Sequence, residues 1–311
     1  MIMTITMNPA IDKSTTLEKL IPDKKLRCSA LVKEAGGGGV NVGKAIHRLG
    51  GDCLVVFTAG GTNGKLLEEL LLKEGIRGIG IPVAAETREN FMITEQTDHM
   101  QYRFVLPGDA LSLEEVESCL DTIKMMEVMP SIIIASGSLP PGVPEDFFAR
   151  LARLSKTIGA KFIVDTSGIP LQMAVKEGVY LLKPNLSELS SLAGKAYLQL
   201  DEVEAAARKI IAEGHCEVLV VSMGPAGALL ITQDQYVSIP APIVKRKSTV
   251  GAGDSMVGGM AWMMEQGGSL LEMVRFGVAC GTAATMNPGT QLFHKEDALE
   301  LYKWLGQAKQ K

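Results

Sequence analysis

Strand-like and helix-like segments alternate along most of this chain, and that alternation limits the fold more than any other feature. Residues 2–7 read as a strand, 40–49 as a helix closed by Gly50 and Gly51, 53–58 as a strand, and 63–73 as a helix ended by Gly75. Ser112 with Glu115 forms a capping-box pattern that opens a helix to residue 126. Residues 132–135 are wholly apolar, as expected of a strand buried on both faces of a parallel sheet. Helix 145–157, strand 161–165, strand 180–182, helix 201–213 and strand 218–221 continue the pattern. An extended stretch, 237–247, leads into a largely helical end: 252–266, 269–286 and 296–305. This rhythm predicts an α/β fold with a mostly parallel sheet and helices on both faces.

Two segments interrupt it. Residues 13–34 are polar and loosely alternating. In 90–107, two alternating runs, 91–94 and 102–105, flank the polar stretch 96–100, which is a hairpin pattern. The economical expectation is that both segments pair into a small sheet projecting from the core as a lid. With no clear linker or internal repeat, residues 1–311 are expected to form one domain, its lid drawn from about 13–35 and 88–107.

Composition bounds the function. The chain has 311 residues, 46% hydrophobic and 21% charged, enough for a large core. A net charge of −4 favours neither nucleic acid nor an anionic membrane as partner. Five scattered cysteines without a C-x-x-C spacing point to a reducing compartment and against structural zinc. Residues 1–7 are apolar but short and run into Asn8-Pro9, so they read as a first strand rather than a signal peptide. A cytoplasmic location is expected.

The candidate chemistry lies where strands give way to loops. Gly251, Ala252, Gly253 and Asp254 stand where the extended stretch becomes a helix. A helix N-terminus exposes unpaired N–H groups and suits phosphate. A carboxylate there would repel phosphate unless it had other work, such as taking a proton from an attacking hydroxyl. The competing reading makes Asp254 or Ser255 an N-cap. Gly36 to Gly39 open helix 40–49, with Asn41 in reach of whatever approaches that backbone; a flexible connector is the alternative. Gly38, Gly43 and Lys44 fit the spacing of a Walker A loop, but Ala45 replaces its hydroxyl residue and no strand leads in. Asp12, just beyond the first strand, could bind a polyol or serve an ordinary turn. Asn185 and Glu188 could hold magnesium through water, or form a capping box. Ser222, Gly224 and Gly227 make a turn fit to cover a nucleotide. Asn287 and Gly289 follow the helix 269–286, where carbonyls could take a monovalent cation or simply end the helix.

Taken together, Gly36-Gly37-Gly38-Gly39-Val40-Asn41-Val42, Asp165-Thr166-Ser167 and Ser248-Thr249-Val250-Gly251-Ala252-Gly253-Asp254 resemble, in order and spacing, the ribokinase-like phosphofructokinase-B sugar kinases. The likeness covers essentially the whole chain. The stretches 24–28, 101–108, 136–142 and 273–279 look most like the bacterial ATP-dependent 6-phosphofructokinase branch. The resemblance implies a ribokinase-like three-layer α/β/α fold and ATP-dependent phosphorylation of fructose 6-phosphate to fructose 1,6-bisphosphate. It makes Asp254 the general base and the amides of Gly251, Ala252 and Gly253 an anion hole. Asp12, Gly37 and Asn41 would bind sugar hydroxyls. Arg88 with Ser138, and Lys25 from a partner subunit, would bind the sugar phosphate, with Arg27 and Arg103 as further candidates. Lys183, Asn185 and Glu188 would serve ATP and Mg²⁺, Ser222 to Gly227 the nucleotide, and Asn287 the adenine region. A potassium site is implied near Ser248, Val250, Ala284, Asn287 and Gly289, and a homodimer clasped through the lid. Gln291 and Ile21 depart from the branch, and both bear on potassium dependence and regulatory ATP binding rather than on the chemistry. Gly38 stands where the 1-phosphofructokinases and tagatose-6-phosphate kinases usually carry lysine. Those activities are the nearest rivals; a non-catalytic sugar-phosphate sensor would require loss of the base, and Asp254 is present.

Overall fold

The structure, a computed structural model, describes residues 1–307. Its elements begin with β1 (Ile2–Thr6), β2 (Ala10–Leu17), β3 (Val32–Gly36), α1 (Gly38–Arg48), β4 (Cys53–Ala59), α2 (Gly61–Lys73) and β5 (Arg77–Pro82). Then come β6 (Arg88–Glu95), β7 (Gln101–Val105), α3 (Leu113–Lys124), β8 (Ile132–Ser136), α4 (Phe147–Thr157), β9 (Lys161–Asp165) and α5 (Gly168–Lys176). The rest is β10 (Val179–Leu182), α6 (Leu186–Leu192), α7 (Val203–Ala212), β11 (Cys216–Ser222), β12 (Ala228–Ile231), β13 (Tyr236–Ile239), α8 (Ala252–Glu265), α9 (Leu270–Thr285) and α10 (Lys295–Gln307).

The expected mostly parallel sheet is present, nine strands in the order β13-β12-β11-β10-β9-β8-β1-β4-β5. All neighbours pair in parallel except β11–β12 and β12–β13, which are antiparallel because β12 alone runs the other way. Alternate side chains of each central strand enter opposite cores, as the two-residue strand period requires. Met3, Ile5, Leu54, Val56, Ile133 and Ala135 pack with α3 to α7. Ile2, Val55, Phe57, Ile132 and Ile134 pack with α1, α2, α8 and α9. Strand β1 lies between β4 and β8, so the sheet grows outward from it in both directions. Ligands in open α/β sheets bind at such a switch point, beyond the strands' carboxyl ends.

The two interrupting segments form a second sheet in the order β3-β2-β6-β7. The hairpin expected over 90–107 is β6–β7, and β2 pairs with β6 in parallel. Asp12 therefore sits inside a strand, opposite Asn90 on one side and Glu34 on the other, rather than in a turn. Residues 18–31 between β2 and β3 are irregular. The extended stretch expected over 237–247 stops at Ile239, because Pro240 and Pro242 have no N–H to donate to a ladder. The helix expected from 201 starts as a 3₁₀ turn, Leu200–Glu202, before α7. β5, β12, α5 and α6 were not anticipated; β5 carries Gly78 and Gly80 in place of strand-forming residues.

The four-glycine run reflects close approach of the chain to itself as well as to a ligand. Gly37 has φ +107°, and a Cβ on Gly39 would lie 2.5 Å from Thr6 Oγ1 and 2.6 Å from the Ile5 carbonyl. The start of α1 is thereby seated on the end of β1. Gly39→Ala should overpack this contact and cost about 1–3 kcal/mol, read as a lower urea midpoint at unchanged m-value.

Candidate active site

Helix α8 starts at Ala252 behind Gly251, whose left-handed φ of 70° turns the incoming loop into the helix. The first N–H groups of a helix have no intrahelical acceptor, so residues 252 to 254 present donors and the positive end of the helix dipole. Asp254 lies in this first turn, and Asn41 Nδ2 donates to its Oδ2 at 2.8 Å. Burial, and after it the charge of Asp165, push Asp254 up to about 7, while the Asn41 bond and Lys183 pull the other way. A carboxylate with a midpoint near neutrality is suited to general-base work at neutral pH. The N-cap reading fails for both candidates: Gly251 occupies the cap and no side chain bonds there.

That turn is the wall between two clefts. One, of about 410 Å³, is lined by Asn185, Ser222, Gly224, Gly227, Thr249, Ala252, Gly253 and α9 residues including Thr282. The other, of about 170 Å³, is lined by Asp12, Gly37, Asn41, Asn90, Arg103, Val250, Gly251, Asp254 and Thr290. Residues Gly251 to Asp254 thus contribute to both clefts, Ala252 and Gly253 to the larger and Gly251 and Asp254 to the smaller.

In the smaller cleft, Asn90 Nδ2 donates to Asp12 Oδ1 at 2.8 Å and fixes that carboxylate. Asp12 is raised by burial, which outweighs the Asn90 bond and the nearby charges of Lys44 and Arg88. Lys44, the false Walker lysine, is buried, donates to the Ala35 carbonyl at 3.1 Å and pairs with Glu74 at 3.2 Å. Arg88 donates three hydrogen bonds, two to the Asn8 carbonyl and one to that of Leu106. A guanidinium has five N–H donors, so two remain for an anion. Burial lowers the Arg88 pKa, partly offset by Asp12. Ser138 accepts from Asn8 Nδ2 at 3.2 Å, so it and Arg88 share Asn8 as a neighbour. Arg103 lies elsewhere, donating to Thr249 Oγ1 at 2.8 Å at the Asp254 end of the cleft. Lys25 and Arg27 are exposed on the irregular segment and line neither cleft.

On the other side, Lys183 is buried and pairs with Asp165 Oδ1 at 3.2 Å. Burial works against its charge, but Asp165, Glu188 and Asp254 outweigh it and hold the Lys183 pKa high. Asn185 and Glu188 do form a capping box, with Glu188 N to Asn185 Oδ1 and Asn185 N to Glu188 Oε2 both at 2.9 Å. The cap uses only Oε2 of Glu188, and burial, with the neighbouring Asp165 charge, raises its pKa. Among the described residues no group of three or more acidic, histidine or cysteine side chains is arranged to hold a metal alone. Three carboxylates around one lysine nevertheless suit Mg²⁺ held mainly by nucleotide phosphates and water. Gly227, at φ +103°, turns β11 into β12; a Cβ there would meet the Ile239 carbonyl at 2.0 Å. Asn287 is buried, donates to the Ala283 carbonyl at 3.4 Å and does not line the larger cleft. The backbone has to cap α9 there, and Thr282 and Thr285 one turn earlier face the cleft instead. The segments bearing Ser248, Val250, Ala284 and Gly289 are adjacent, since the Lys247 and Ser248 amides both donate to the Thr285 carbonyl.

Asp165, Asn90 and Thr290 belong to the site but were not singled out as site residues. Asp165 had a legible signal, an acidic residue closing an apolar strand. Asn90 had none, since its role comes from a strand register spanning 78 residues.

Comparison with known proteins agrees with this geometry. The model of the pfkB family carbohydrate kinases matches residues 2–297. The chain is 41% identical over 305 residues to the ATP-dependent 6-phosphofructokinase isozyme 2 of Escherichia coli, covering 98% of each. The crystal structure of Escherichia coli phosphofructokinase-2 in complex with potassium superposes with a TM-score of 0.94, covering 98% of this chain and 99% of that one, at 41% identity. Arabidopsis thaliana ribokinase complexed with ribose and ATP shares the fold at a TM-score of 0.73 and 20% identity, over 97% and 98% of the two chains. The fold is therefore ribokinase-like, and the chain belongs to the pfkB family of carbohydrate kinases.

Proposed function

We propose that this kinase transfers the γ-phosphoryl group of ATP to the 1-hydroxyl of fructose 6-phosphate, giving fructose 1,6-bisphosphate. The observation that carries the reading is the first turn of α8 shared by the two clefts, with Asp254 facing the smaller one. Asn41 holds Asp254 Oδ2, which leaves Oδ1 to accept the hydroxyl proton as the sugar oxygen attacks phosphorus. The amides of Gly251, Ala252 and Gly253 receive the charge that spreads over the moving phosphoryl oxygens. Asp12, Gly37 and Asn41 orient the sugar. Glu188 and Asn185 would hold Mg²⁺ through water, and when bound the ion neutralises phosphate charge. Ser248, Val250, Ala284, Asn287 and Gly289 would hold K⁺, which would brace the loop leading to Gly251.

The two uncommitted Arg88 donors and the Ser138 hydroxyl, gathered around Asn8, fit the sugar's own phosphate. Gly38 favours this substrate over fructose 1-phosphate and tagatose 6-phosphate, since kinases resembling those for the latter two usually carry lysine there. The relative's 6-phosphofructokinase activity supports the same choice.

The second sheet acts as the lid of a single kinase domain. Its exposed apolar residues, Phe91, Phe104, Val105 and Val32, fit a homodimer formed lid to lid. In that dimer Lys25 and Arg27, unused in their own subunit, would reach the partner's sugar phosphate. No described helix is long and apolar enough to cross a membrane, and all five cysteines are free, which supports a reducing cytoplasmic setting.

An ADP-release assay tests the substrate: kcat/KM should be highest for fructose 6-phosphate among fructose 6-phosphate, tagatose 6-phosphate, fructose 1-phosphate and fructose. A preference for fructose would mean that the basic residues were misassigned. Asp254→Asn should lower kcat by about 10³-fold with ATP affinity retained, in line with loss of a general base. Because a raised carboxyl is protonated below its midpoint, kcat/KM should fall as pH drops through about 7. The same shift makes the ionised carboxylate unfavourable in the fold, so Asp254→Asn should be more stable than the parent at pH 8. That gain should shrink below pH 7 and vanish near the ordinary aspartate value, as melting temperatures across pH would show.

A further inference from the structure

Arg103 was expected at the sugar phosphate, but the fold sets it apart from Arg88, which lines a neighbouring cavity with Asn8 and Gly108 rather than the smaller cleft. Arg88 lies at the start of β6, bonded to Asn8 and Leu106. Arg103, on β7, pairs in register with Met92, four residues further along β6. Its guanidinium reaches out of the second sheet to Thr249 Oγ1, two residues before Gly251. Thr249 lines the larger cleft, whereas Arg103 lines the smaller one together with Asp254 and Gly251. One guanidinium thus links a residue of each cleft beside the turn that the two clefts share. A second bond, Gln101 Nε2 to the Lys247 carbonyl at 3.2 Å, fastens the same strand to the same loop. With one donor committed to a neutral hydroxyl, four N–H groups remain, and Arg103 is exposed to the clefts rather than buried.

Resting on the kinase reading above, we propose that Arg103 is a catalytic residue that contacts the phosphoryl group in transfer, not the phosphate already on the sugar. As the sugar O1–phosphorus bond forms and the bond from phosphorus to the ADP oxygen breaks, Asp254 takes the hydroxyl proton and ADP leaves with the electron pair. Arg103 stays protonated throughout and offsets charge from the lid side, opposite the α8 amides. Because lid sheet and loop are joined through this residue, its placement also ties sugar-side closure to nucleotide position.

The test separates binding from turnover. In Arg103→Met, kcat should fall by about 10²–10³-fold, the range seen when one preorganised donor to a developing charge is removed. The dissociation constant for fructose 6-phosphate, measured by calorimetry without nucleotide, should change less than threefold. Arg88→Met is the comparator, and there the dissociation constant should rise by more than tenfold. In Arg103→Ala, added guanidinium ion should restore part of kcat, which a purely structural role would not allow. A fructose 6-phosphate affinity lost in Arg103→Met in step with kcat/KM, at unchanged kcat, overturns the proposal. If the parent enzyme prefers another ketose, the substrate assignment fails. The same comparison of kcat with affinity on that ketose still decides the role of Arg103.

Discussion

The first turn of α8 is the contact on which the rest of the site depends. A helix can offer several unpaired N–H groups to one ligand only at its N-terminus, and here both neighbouring clefts open onto that end. The turn needs Gly251 in a left-handed conformation, where a Cβ would also meet Leu292 at 2.5 Å. It needs α8 to lie close along α1, which small residues permit: a Cβ on Gly258 would come 2.7 Å from that of Ala45. From α1 the Asn41 amide then reaches Asp254, which is 213 residues away in sequence. The glycine run at one end of the chain and the glycine–aspartate turn near the other are parts of one contact.

Electrostatics at that contact are deliberately unbalanced. Asp165, Glu188 and Asp254 surround a single buried lysine, and Asp12 adds to the field. Burial first, and then the charge of Asp165, raises both Asp254 and Glu188. Groups that act as bases often lie in such surroundings, because burial next to like charge moves a carboxyl toward neutrality. Mg²⁺ held at these carboxylates would offset part of the further negative charge that the nucleotide phosphates bring.

Much of this was legible in the sequence, for identifiable reasons. Strand and helix periods marked the parallel core, and each loop at a strand's carboxyl end could be inspected for chemistry, which picked out Asp12, Asp254 and the 183–188 stretch. The hairpin pattern over 90–107 was explicit enough to anticipate the second sheet. What escaped depends on distant pairing. Asn90 matters because β2 and β6 run in parallel with Asp12 beside it. Arg103 could be listed as a cation near the sugar, but only the position of β7 against the 247–249 loop shows which end of the cleft it serves. At the end of α9, only the structure shows that the Asn287 side chain turns back to the Ala283 carbonyl of that helix. Glycine-containing β5 and the short β12 carried too little periodicity to be seen.

On the proposed mechanism the fold itself, before any ligand binds, poises Asp254 as a base. The most direct measurement is a carbon-13 NMR titration of aspartate carboxyl groups in the free enzyme, with the Asp254 signal identified by its loss in Asp254→Asn. A midpoint near 7 is predicted. A midpoint near the ordinary value of about 3.9 would contradict the account, because the carboxylate would then be a solvated group of the cleft with no special readiness to take a proton.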